Sequence, residues 1–416
     1  MTATQFTFIF VTALALTTLA KLWLARRHLA HIAAHRGAVP EAFTEKIQLD
    51  DHQKAADYTS VKTRMGILSI FFDAILLLAF TLGGGIQRIS ALCSSWFSTP
   101  ITQGMATLVI VLVLFSLLEA PFNLYRTFVI EARFGFNKMT FKLYLLDALK
   151  GILLGAALGL PLLFGVLWLM ERMGAYWWLY VWAVWVVFNL LILFIYPSFI
   201  APLFNKFSPL QDEAMKSRIE SLLSKCGFTA QGLFVMDGSK RSAHGNAYFT
   251  GFGKTKRIVF FDTLLERLSI NEVEAVLAHE LGHFKRRHVV KRIVMTFAIS
   301  LGFLWLLGML MQTAWFYQGL GVTTPSTAVA LLLFFLTLPV FSFLLGPIMS
   351  AYSRKHEFEA DAYAATQTDA ADLVNALVKM YQDNAATLTP DPLYSKFYDS
   401  HPPAMVRIAH LQGAPL

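Results

Sequence analysis

The sequence predicts an all-α membrane protein of seven spans, joined to soluble segments that carry a small β element. Three observations lead there. Hydrophobic residues make up 56% of the 416 positions and charged residues only 15%, against roughly 45–50% and about 25% in an ordinary soluble domain. Seven apolar stretches are each long enough to cross a bilayer core, which takes roughly 20 residues. One interval, 201–292, has the composition of a soluble domain instead.

The spans are expected at 6–24, 67–86, 105–125, 145–170, 177–196, 293–315 and 328–349. The second holds Asp73 and the run Gly83-Gly84-Gly85; the third holds Glu119 and Pro121. Lys and Arg collect on the cytoplasmic side of membrane loops. The connection after the first span carries Arg26, Arg27, Arg36, Lys46, Lys54, Lys62 and Arg64, whereas the next carries only Arg88. That alternation continues along the chain and places the N-terminus outside and every large loop inside. The formal net charge of +8 is thereby a matter of topology, and no nucleic-acid partner is implied. No basic residue precedes the first span, so that segment is expected to be a retained helix and not a cleaved signal. Cys93 and Cys226 are too few for a disulfide framework or a thiolate cluster. The polar residues inside spans, Asp73, Glu119, Asn123, Asp147 and Asn189, call for interhelical hydrogen bonds or a water-filled interior.

In the soluble interval, 212–226 has an amphipathic helical pattern, with Met215, Ile219, Leu222 and Leu223 on one face. An extended stretch at 242–252 and a strand at 256–265, turning at Asp262, form the β element, with 251–254 as a hairpin connection. A helix then starts at Ser269, where Glu272 three residues on completes a capping box. It contains His279-Glu280-Leu281-Gly282-His283, the HExxH pattern. Spacing of i, i+4 puts both imidazoles on one helical face, able to grip one metal ion, with Glu280 beside them as a base.

A catalytic zinc usually takes three protein ligands. His288, projecting about 140° from His283 on a continuous helix, is expected at a surface or an interface. The helical segment 353–362, Ser-Arg-Lys-His-Glu-Phe-Glu-Ala-Asp-Ala, supplies better candidates. Glu357 and Asp361 share a face, Glu357 as third ligand and Asp361 as acceptor for a ligand histidine. His356 competes for the ligand role, and Glu359, about 200° away, is expected on a solvated face.

These residues carry a resemblance. The HELGH motif, SRKHEFEADAYA after the seventh span, and the blocks EARFGFNKMT (131–140), YPSFIAPLFNKFSPL (196–210), GNAYFTGFGKTKRIVFFDTLL (245–265) and SHPPAMVRIAHL (400–411) are similar to the integral-membrane zinc endopeptidases that include the CAAX prenyl proteases, of gluzincin class. The resemblance implies seven helices ringed around a water-filled chamber and capped by a zincin-like domain. It implies His279, His283 and Glu357 as ligands of one Zn2+ per chain, with Glu280 as general base. It also implies that Asn246, with Ala247 and Tyr248 in the same block, lies along the substrate backbone, and that His401 and Arg407 face the developing oxyanion.

The expected organisation is a membrane part (1–200), a metalloprotease part (201–292), spans six and seven (293–350) and a C-terminal part carrying the third ligand (351–416). The expected function is hydrolysis of peptide bonds near the cytosolic face, removing the last three residues of a prenylated CAAX protein. A quality-control protease with no prenyl requirement is the variant reading, and a seven-span transporter or receptor with a structural metal the competing class. Peptide or protein substrate and lipid bilayer are the implied partners; nothing in the sequence speaks to oligomeric state. The plain C-terminus, 412–416, without a dilysine or KDEL-type signal, is expected to suit a bacterial inner membrane better than an endoplasmic reticulum.

Overall fold

The structure, a computed structural model, describes residues 1–229, 232–250 and 257–413. Helix α1 (Ala3–His35) opens on a capping box between Thr2 and Gln5. Helix α2 (Leu49–Phe80) stops where Thr81 and three glycines turn the chain, and a short amphipathic α3 (Gly85–Trp96) follows. The second span thus ends sooner than the expected 86, because the glycine run lacks the side chains and rigidity to carry the helix on. Then come α4 (Pro100–Tyr125), prolonged by a π-helical stretch Arg126–Glu131, α5 (Phe141–Arg172), α6 (Trp177–Ile195) and, after a second π-helical stretch, α7 (Ala201–Phe204).

The soluble interval holds β1 (Phe207–Pro209), α8 (Glu213–Lys225), β2 (Gly232–Met236), β3 (Ala247–Thr250), β4 (Arg257–Phe261), α9 (Asp262–Leu265) and α10 (Ile270–Lys285). The sheet order is β1-β2-β4-β3, parallel between β2 and β4 and antiparallel at both outer pairs. The expected hairpin connection 251–254 lies outside the described residues. One sheet face, with Leu233, Ile258 and Phe260, packs on Val273 and Leu277 of α10. Alternation along the strands turns Phe234, Tyr248 and Arg257 to the other face, where with Pro197 and Pro202 they line a cavity of about 310 Å³.

Next come α11 (His288–Leu310), α12 (Ala314–Gln318), α13 (Thr327–Phe341), α14 (Leu345–Gln367), α15 (Ala370–Asp383), α16 (Pro392–Tyr398) and α17 (Ala404–Leu411). Six helices are long and apolar enough to span a bilayer; the seventh crossing is a bent pair, α13 and α14 meeting at 70°. A straight span over 328–349 was expected. Pro347 accounts for the bend: it has no N–H to continue α13, yet fits the first turn of α14, where that donor would be unused.

Helix α5 forms an open wall. Six consecutive residues, Ala148 to Leu153, are all exposed, more than a full turn, although Lys150 Nζ still reaches the Leu203 carbonyl oxygen at 2.8 Å. Asp147, just before them, is satisfied across the domain boundary: Arg241 donates to its carboxylate at 2.8 and 3.1 Å. Two other ties join membrane helices to the soluble part. Tyr58 of α2 donates at 2.7 Å to Glu131, whose carboxylate lies 3.6 Å from His244 of the soluble interval, and Arg27 of α1 pairs with Asp391 at 2.8 Å.

Candidate active site

Helix α10 begins as the sequence dictates, with Ser269 and Glu272 capping each other's backbone N–H groups. Its far end lies against α14, and Gly282 sets how closely. A Cβ there would stand 2.9 Å from the Ala360 Cα and 3.0 Å from its carbonyl oxygen. This approach brings His279 and His283 opposite Glu357.

The three side chains converge. His279 Nε2 and His283 Nε2 are 3.2 Å apart, and each lies 3.4 Å from a different oxygen of Glu357. Glu357 Oε2 is buried with no hydrogen-bond partner among the described residues, an orphan that a cation would satisfy. Ligands bonded at about 2.0–2.1 Å around a tetrahedral metal stand roughly 3.3–3.4 Å from one another. The observed separations fit that edge length. No other His, Cys, Asp or Glu group among the described residues converges in this way.

The opposite ring nitrogens are occupied, which fixes Nε2 as the inward donor. His279 Nδ1 donates to Asp361 Oδ1 at 2.8 Å. Asp361 is fully buried and is held in turn by Arg407, whose Nε and Nη2 donate to it at 2.8 and 2.6 Å. His283 Nδ1 faces His288 Nδ1 at 2.9 Å, and His288 Nε2 donates to Glu359 at 3.0 Å. With its Nε2–H given to Glu359, His288 keeps Nδ1 as an acceptor, so His283 Nδ1 must be the donor.

Two expectations are corrected here. Of the surface or interface expected for His288, it occupies the interface, with His283 on one side and α14 on the other: the residue is fully buried, and His356 stacks flat on it at 3.9 Å, so what is corrected is its direction. The cause is Arg287, in the left-handed region at φ 56°, which separates α10 from α11 and swings His288 back toward His283. A continuous helix, on which the 140° projection rested, does not exist at that point. Glu359 is partly covered and bonded to His288, not merely solvated. No turn signal marks Arg286-Arg287; the only hint in the sequence is two more titratable residues close to the ligands.

Glu280 is half-buried, and desolvation raises its pKa above the ordinary glutamate value, against the opposing charge of His279. Burial lowers the pKa of His283 to about 3, with His279 adding to the effect. Burial also works against charging His279, but its hydrogen bond to Asp361 and the facing Glu357 carboxylate outweigh it and raise its pKa to about 9. A metal ion arriving here therefore displaces a proton. His401 Nε2 lies 3.5 Å from Glu357 Oε1 on a side chain that is 63% exposed, so it borders the site from the open side. Arg407 is 7% exposed and its Nη1 is 3.9 Å from Glu357 Oε2. Asn246 is exposed at the start of edge strand β3, Ala247 packs toward the α10 core, and Tyr248 lies on the opposite face.

The relatives point the same way. Residues 28–206 match the family described as CAAX prenyl protease N-terminal, five membrane helices, and residues 209–414 match peptidase family M48. A CAAX prenyl protease 1 homolog of Caenorhabditis elegans is 34% identical over 414 residues, covering 91% of this chain and 92% of its own. The chain belongs to the CAAX prenyl protease 1 family. CAAX prenyl protease 1 of Saccharomyces cerevisiae is 32% identical over 399 residues, 90% of this chain and 88% of its own. The crystal structure of S. mikatae Ste24p superposes with a TM-score of 0.92 at 30% identity, covering 98% of this chain and 99% of that one. This member of the CAAX prenyl protease 1 family is accordingly a multi-pass membrane metalloendopeptidase. Its family carries a metal cofactor, and the His279, His283 and Glu357 donors are the group that fits one.

Proposed function

We propose that this family member is a zinc endopeptidase that removes the C-terminal residues of prenylated CAAX proteins, with the site on the cytosolic face. The observation that supports it most is the triangle of His279, His283 and Glu357, at 3.2–3.4 Å, beside Glu280. Two imidazoles and one carboxylate suit zinc and leave room for a fourth ligand. When bound, zinc supplies Lewis acidity toward a peptide carbonyl and lowers the pKa of water.

The chain's own residues do the rest. Glu280 takes the proton of the attacking water and returns it to the leaving amine, a role for which its raised pKa suits it. His401, exposed toward the open side, donates to the carbonyl oxygen as it becomes negative. Arg407 was expected beside that oxygen as well. Two of its nitrogens hold Asp361, which holds His279, while Nη1, 3.9 Å from Glu357, keeps the guanidinium beside the site. The outer edge of β3, from Asn246 to Tyr248, receives the substrate as an added strand. The exposed turn of α5 fits a wall with lipid on one side and a chamber on the other. The Lys and Arg asymmetry of the short loops supports an outside N-terminus, and the relatives named above are eukaryotic.

The test is incubation of purified protein, with its zinc content measured, with matched farnesylated and unfarnesylated CAAX peptides. The expected result is one zinc per chain and tripeptide release at least tenfold faster from the farnesylated peptide. Equal rates would leave a metalloendopeptidase without a prenyl requirement, and no cleavage of either would overturn the reading.

A further inference from the structure

A second cavity, of about 510 Å³, opens between α1, α2 and the segment through α16. That is the size of a small-ligand site. Lys21 and His28 of α1, Lys62 of α2, and Tyr394, Tyr398 and Asp399 are among its lining residues. Neither lysine forms an ion pair with a carboxylate among the described residues. Lys21 Nζ stands 5.7 Å from the Phe343 ring. Lys62 Nζ stands 4.5 Å from the Tyr58 ring and 3.5 Å from its hydroxyl, which itself donates to Glu131. His28 accepts from the Asp391 N–H on Nδ1 at 3.2 Å, which leaves Nε2–H as a donor. Asp399 is the one acidic residue among those lining the cavity, and burial raises its pKa.

The cavity adjoins the metal site through the chain itself. Asp399 precedes His401 by two residues, at most about 7 Å of extended backbone, and an extended tripeptide spans about 10 Å. His401 in turn lies 3.5 Å from Glu357. The same cavity is lined by Lys21 and Lys62, so a space that begins within that range of the metal site holds two cations without a carboxylate ion pair among the described residues, which suits an anion carried on a short tail.

We propose that this cavity binds the free C-terminal carboxylate of the substrate, with Lys21 and Lys62 as its cationic contacts, and so sets how many residues are removed. The proposal rests on the protease reading above and assigns the part of the molecule that measures the tail.

One CAAX peptide made as the free acid and as the C-terminal amide tests it. The wild type should cleave the acid at least about tenfold faster in kcat/KM, as expected for a charge-assisted contact. Lys21→Met and Lys62→Met together should bring the acid down to the amide rate through KM, leaving amide cleavage unchanged, while Lys62→Arg should keep the preference. Equal cleavage of acid and amide by the wild type, or an equal loss on both in the variant, overturns the proposal. If neither peptide is cleaved, the protease reading has failed separately. Calorimetry of the tripeptide acid against its amide then still decides the cavity, since equal affinity overturns it without any turnover.

Discussion

Helices α5 and α10 invert what their compositions suggest. Helix α5 is the more apolar, yet Ala148 to Leu153 are all exposed. Helix α10 carries two histidines and several glutamates, yet Ala275 to His279 are buried without a break. Hydropathy in this chain reports which solvent a helix meets, not how much protein surrounds it. The apolar wall can stand open because lipid accepts it. The polar helix has to be enclosed, because its imidazoles hold their geometry only through buried partners. Tolerance to change should divide along the same line.

The sharpest test is at Glu280, the half-buried residue that follows the enclosed run of this helix. Glu280→Gln should lower kcat by about 10²–10⁴-fold while zinc content and melting temperature stay at wild-type values. Loss of zinc along with activity would mean that Glu280 supports the ligands and is no base. The same carboxyl sets a pH dependence. A base works only when ionised, and desolvation raises its pKa; the acid limb of kcat/KM against pH should therefore lie above the ordinary glutamate value. A limb at or below that value would detach activity from Glu280.

Next in size is the bonding behind His283. Removing His288 frees Nδ1 of a ligand imidazole, and losses of about 10–100-fold in metal affinity are usual for such partners. His288→Ala should weaken zinc by that factor in a chelator competition, and Glu359→Gln by less, since an amide oxygen can still accept from His288. Unchanged zinc affinity in His288→Ala would show that the 2.9 Å contact has no part in holding the metal.

How much of this was legible in the sequence follows from how local each signal is. The spans are written in long apolar runs, and the start of α10 in Ser269 and Glu272, three residues apart in a single turn. His279 and His283 share a helical face by spacing alone, and Glu357 and Asp361 do likewise. What escaped lies where local geometry departs from the ideal helix. One left-handed residue, Arg287, reverses the direction of His288, and Pro347 bends the seventh crossing by 70°. The pairing of Arg407 with Asp361 joins positions 46 apart, and no pattern within either segment announces it. The open cavity beside α16 is further still from a local signal, since three separate segments contribute to its lining.

The smallest effects should state the contrast most directly, because one substitution can be made in both helices. In α10, Gly282→Ala places a methyl group 2.9 Å from the Ala360 Cα. That neighbour is backbone and cannot rotate away, so α14 must retreat and carry Glu357 with it. Overpacking of this kind costs about 1–3 kcal/mol, and zinc affinity should fall together with the melting temperature. In α5, Gly155→Ala meets nothing within 4 Å. There the methyl group only removes the helix-weakening freedom of glycine, which is worth about 0.5–1 kcal/mol toward stability. The two variants should therefore shift the melting temperature in opposite directions, with zinc disturbed only by the first. A loss of stability at Gly155 would mean that something packs against this stretch of α5 in the membrane, and the wall would be closed on at least one side.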